Sequence, residues 1–131
     1  MATLTQYWND EASRLELALA AEQATLATLR NALTLAQAAQ RAAADAARDQ
    51  ADAVAAARRA LAAIPMPADG DPLLVRMQDA LIGLAAARVA LANGELDVQR
   101  RRADLAARQG RAVALGSELA EARRKIGRAH V

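Results

Sequence analysis

Ten residues at the middle of the chain, Ile64-Pro65-Met66-Pro67-Ala68-Asp69-Gly70-Asp71-Pro72-Leu73, contain all three of its prolines. Proline has no backbone N–H, and its ring clashes with the carbonyl four residues back. Pro65 therefore stops an incoming helix at Ile64, and Pro67 blocks an immediate restart. Gly70 accommodates the positive φ of a chain reversing direction. Asp71-Pro72 then reads as a helix start. The carboxylate can cap free amides of the first turn, and proline at the first helical position gives up only an N–H that had no partner. The expectation is one helix over about 3–64, a turn over 65–71 and a second helix over about 72–127. Met66, at the tip, is a candidate docking residue.

Both flanks favour helix. Alanine, the best helix former, supplies 39 of the 131 residues; phenylalanine is absent and Tyr7 and Trp8 are the only aromatics. Thr3 with Gln6 resembles a capping box at the start of the first helix. At the far end Arg123, Arg124 and Lys125 suit the negative end of a helix dipole, with Gly127 as the expected C-cap. The fold class is all-α, a single helical hairpin domain with its two helices antiparallel and coiled-coil-like.

The apolar residues recur in sevens. In the first helix one row is Ala12, Leu19, Leu26, Leu33, Gln40, Ala47, Val54 and Leu61, and its companion is Trp8, Leu15, Glu22, Leu29, Ala36, Ala43, Gln50, Ala57 and Ile64. In the second helix Met77, Leu84, Leu91, Val98, Leu105, Ala112, Leu119 and Ile126 form one row. This row keeps its phase through Asn93-Gly94, so the helix is expected to be continuous there. Folding the chain about Asp69 sets Val54 against Leu84, Leu26 against Ala112 and Leu19 against Leu119. Large then meets small over a rod of roughly 85–90 Å at 1.5 Å per residue. The same fold sets Gln50 against Arg88, Ala43 against Glu95, Ala36 against Arg102 and Leu15 against Arg123. Those polar partners would leave the companion row partly uncovered. Gly83, Gly94, Gly110 and Gly116 each cost roughly 1 kcal/mol in a helix interior, and close approach of the neighbouring helix is the expected reason for them.

Ile82, Val89 and Leu96 form a further row on nearly the opposite face of the second helix, and Leu17 and Leu35 lie off the seam of the first. A two-helix hairpin cannot bury both faces, so these rows predict packing into a larger bundle. The partner would be another copy of the chain or another helical protein. Trp8 either caps the end of the hairpin or anchors that partner.

Chemistry is scarce. Cysteine is absent and His130 is the only histidine, which argues against a metal centre or a histidine-based triad. Ser13 and Ser117 have no neighbouring base. Asp45, Asp49 and Asp52 share a helical face without an EF-hand-like loop, and read as an acidic surface near Arg41 and Arg48. No enzymatic activity, cofactor or metal is expected. The net charge is only +2, but residues 95–131 hold nine basic against five acidic groups. Arg100, Arg101, Arg102, Arg108 and Arg111 are candidate phosphate contacts. However, Glu95, Asp97 and Asp104 flank them, and no aromatics interleave for base stacking. The excess of arginine over lysine, beside so much alanine, fits a GC-rich bacterial genome.

No apolar run approaches the ~20 residues of a membrane-spanning helix, and the start lacks a secretory signal pattern. A cytoplasmic location is the default expectation, with secretion by a signal-independent route as the alternative. The expected function is a non-enzymatic scaffold or assembly element acting through apolar helix faces. The alternatives are a nucleic-acid-associated protein using the arginines of the second helix, and a membrane-active hairpin whose apolar faces open.

Overall fold

A computed structural model describes residues 3–129. It contains two helices, α1 (Leu4–Ala62) and α2 (Pro72–Ala129), packed as a helical hairpin. At the start of α1, the Gln6 amide donates to Thr3 Oγ1 at 3.1 Å and the Tyr7 amide to the Thr3 carbonyl at 3.0 Å. The Thr3 hydroxyl thereby satisfies one orphan donor of the first turn, and its carbonyl accepts the first intrahelical bond. At its other end the helix tightens before Pro65. The Ala63 amide reaches the Ala60 carbonyl at 3.3 Å and Ile64 reaches Leu61 at 3.0 Å, both i to i+3 bonds. This tightening ends the α-helix at Ala62 rather than Ile64.

The turn is built as its residues dictate. Gly70 has a φ of +81°, and it is the one residue with positive φ among those described. The Asp71 amide returns to the Ala68 carbonyl at 3.0 Å. Asp71 Oδ1 accepts from the Leu73 amide at 2.8 Å, and its carbonyl accepts from Val75 at 3.1 Å, so Asp71 is the N-cap and Pro72 the first helical residue. At the far end the helix continues through Gly127 to Ala129. Gly127 is not the C-cap expected of it, since it keeps negative φ and adds a further residue to the helix.

The chain forms two compact units. In the terminal unit, residues 1–33 with 100–131, Leu15 is 2 % exposed and packs with Ala12, Leu119 and Ala122, while Trp8, Leu19, Leu115 and Ile126 close around them. Burying a side chain such as Leu15 stabilises by about 1.5–3 kcal/mol. Leu19, Leu26, Ala112 and Gly116 line one cleft of this unit. In the turn unit, residues 34–99, Val54, Ala80 and Leu84 form the core, with Met77 against it. Leu26 with Ala112, Leu19 with Leu119 and Val54 with Leu84 are thus brought together as folding about Asp69 requires, and of the three only Leu26 with Ala112 sets large against small.

The companion row departs from that pairing. Leu15 packs against Ala122, one position before Arg123, and Leu29 lines a cleft with Arg108. Arg88, Glu95, Arg102 and Arg123, the expected partners, are exposed, while Ala36 and Ala57 are buried. In an antiparallel pair the two rows of a seam do not share one register. The partner row of α2 is Ala80, Ala87, Gly94, Arg101, Arg108, Leu115 and Ala122, and it is mostly small. The companion row of α1 is therefore covered at Leu15, Ala36 and Ala57, not left open by polar neighbours.

Small size has visible consequences at two glycines. A Cβ on Gly83 would come within 2.6 Å of Gln50 Oε1, and one on Gly94 would sit 3.5 Å from the Gln40 Cα. At both, α1 lies close over α2. At Gly110 and Gly116 an added Cβ meets nothing within 4 Å, so the expected close approach does not account for those two.

Candidate functional site

The outward face of α2 carries the candidate association surface. Ile82, Val89 and Leu96 all project to solvent, and Val75, one heptad earlier, joins them; the four are 47 to 69 % exposed. They lie nearly opposite Met77, Leu84 and Val98, which face α1. Each large residue is followed three positions later by Gln78, Ala85, Ala92 and Gln99, also exposed. The result is an a/d-type seam with β-branched residues at three of four a positions, directed away from the hairpin. Heptad spacing alone does not single out Val75, because it lies within the first turn of α2, where the capping signal dominates.

On α1, Leu17 and Leu35 are exposed as expected, but no comparable row connects them. Trp8 is half-buried. It packs against the terminal-unit core, meets Tyr7 edge-on at 4.9 Å between ring centres, and lies 4.2 Å below the Lys125 ammonium. Cation–π and edge contacts of this kind fix the ring within its own unit. A shallow apolar hollow bounded by Leu4, Trp8, Lys125 and Arg128 remains beside it. Met66, at the turn, is almost wholly exposed.

The arginines separate into two groups. Arg108 and Arg111 turn onto Glu22, whose side chain is inside the terminal unit and 5 % exposed as a residue. Arg108 Nη1 lies 3.4 Å from both carboxylate oxygens, and Arg111 Nε lies 3.7 Å from Oε2. A buried carboxylate needs such partners, because unpaired it would cost several kcal/mol. The heptad pattern sets Glu22 on the seam but names no partner for it. The signal was available: an acid at a core position demands a base across the interface. Arg123 pairs with Glu16 in the same unit, its Nη2 3.0 Å from Oε1. Arg100 and Arg102 remain exposed on α2, while Arg101 is half-buried and engaged.

No catalytic constellation is assembled among the described residues. No group of three or more His, Cys, Asp or Glu side chains is placed there to hold a metal ion. Asp45 faces Arg48 at 3.9 Å, both exposed, while Asp49 and Asp52 are exposed on the same helix. Ser13 and Ser117 are exposed, and His130 lies outside the described residues. A hydrogen bond from Arg14 holds the Glu11 carboxyl pKa below its ordinary value, in a surface pairing one helical turn apart. No described helix is long and apolar enough to cross a membrane. No family model matches the chain, and no curated protein or solved structure matches it significantly.

Proposed function

We propose that the protein is a structural or assembly element that works by helix-to-helix association, without catalysis of its own. The observation supporting this is the row Val75, Ile82, Val89 and Leu96. It repeats at heptad spacing, it is exposed, and the opposite face of the same helix is already occupied by α1. A long exposed apolar row costs solvation free energy and invites aggregation unless a partner covers it. Leu17 and Leu35 supply single apolar contacts on α1 and are secondary to this surface.

The test is solution mass by light scattering across a concentration series, for the parent chain and for Val89→Asp. Association that Val89→Asp removes supports the reading. A monomeric mass throughout, with no partner captured by the α2 face, overturns it.

Binding of nucleic acid is the weaker reading. Arg108 and Arg111 already neutralise Glu22, which reduces the free basic surface to Arg100, Arg102 and their surroundings. Unchanged mobility of duplex DNA at low salt would dismiss it.

A further inference from the structure

We infer that the partner covering the outward face of α2 is a second copy of this chain, docked antiparallel about a two-fold axis near residue 90. This rests on the association reading above and adds the partner and its register. In an antiparallel pair of helices, large residues of one seam sit over the positions three residues on in the other. With the axis near residue 90, Val89 faces Ala92 of the other copy and Leu96 faces Ala85. A two-fold contact is isologous, so each pairing occurs twice. Large therefore meets small at four layers, the same logic that packs α1 against α2.

Charge selects this register from its neighbours. The seam is flanked on one side by Leu81, Arg88 and Glu95, and in this arrangement Arg88 of each copy faces Glu95 of the other. Sliding by one heptad in one direction sets Arg88 against Arg88. Sliding in the other sets Glu95 against Glu95. Like charges directly opposed disfavour both. A parallel pairing sets Arg88 against Asn93 and stacks Ala85 on Ala85 and Ala92 on Ala92, which leaves the seam underfilled. Arg88 and Glu95 are both exposed, and neither has an ion-pair partner among the described residues. They stand seven residues apart on one helix, roughly 10 Å, too far to pair within the chain. Their complementarity therefore operates only between copies.

The experiment measures the dimer dissociation constant by sedimentation equilibrium at low salt for the parent chain, Arg88→Glu, Glu95→Arg, the double reversal and Val89→Asp. Circular dichroism checks that each stays helical; all three positions are exposed, so the hairpin itself should fold. The expected result is that each single reversal weakens the dimer about tenfold or more, since it creates two like-charge contacts by symmetry. The double reversal should recover to within about threefold of the parent. Val89→Asp should leave monomer. If Val89→Asp abolishes association while Arg88→Glu does not weaken it, or the double reversal gives no recovery, the antiparallel register is overturned and association through the face stands. If the parent chain is monomeric throughout, or if Val89→Asp leaves its association unchanged, this inference falls together with self-association through that face.

Discussion

The two units of the hairpin solve the same packing problem with different materials. The terminal unit uses bulk and charge. Leu15, Leu119 and their neighbours fill its core, Glu22 is enclosed and answered by Arg108 and Arg111, and Trp8 is held by Lys125. The turn unit uses small size. Its core is Val54, Ala80 and Leu84, Gln50 lies over Gly83, and Gln40 approaches Gly94. Alanine and glycine allow helices close together but remove little apolar area from water, about 0.8 kcal/mol per buried CH₂. The unit with the thinner inner seam is also the one carrying the outward row Val75 to Leu96. What it lacks within the hairpin, a partner on that row would supply.

The sharpest way to break this contrast is to remove a large side chain from the terminal core. Leu15→Ala should cost about 2–5 kcal/mol of folding free energy in chemical denaturation. Leu17→Ala, two residues away on the exposed side, should change it by less than about 0.5 kcal/mol. Equal effects would mean that α1 is rotated relative to the packing described. In the turn unit the helix cap makes a smaller, local contribution. Asp71→Ala should cost about 1 kcal/mol, with Asp71→Asn retaining most of the stability.

The Glu22 pairing tests the role of charge in the terminal unit. Glu22→Ala leaves Arg108 and Arg111 without their acid and should cost about 1 kcal/mol, less than a fully enclosed pair because both guanidinium groups are largely in water. Glu22→Leu should be neutral or stabilising, because an apolar side chain of similar size fits a seam position. A large loss with Glu22→Leu would show that the charge, not the volume, holds that layer. The smallest effects belong to the glycines. Gly110→Ala and Gly116→Ala should each raise stability by up to about 1 kcal/mol, since their surroundings are open. At Gly83 the displaced Gln50 amide should offset that gain, so thermal melts of the three variants rank Gly83→Ala last.

Much of the candidate surface was legible from spacing, since Ile82, Val89 and Leu96 stand out at heptad intervals. Val75 did not, because it shares its turn with the capping residues. The partner row Ala80, Ala87 and Gly94 was also hidden, since alanine carries little pattern in a chain so rich in it. Without that row, a single register on both sides of the seam leaves the companion row partly uncovered.

The amino-acid sequence alone determined that there are two helices, where they are divided and how the reversal is capped. These are local matters, decided by proline's missing N–H, glycine's φ and the aspartate beside it. It also determined which faces are apolar, because periodicity is a property of one helix at a time. Only the tertiary structure decided how the two rows interlock, that Glu22 lies inside against Arg108 and Arg111, and that an added Cβ would meet α1 at Gly83 and Gly94 but nothing at Gly110 and Gly116. Those outcomes depend on the axial offset between two helices, a relation between distant residues that small side chains leave almost unmarked in sequence.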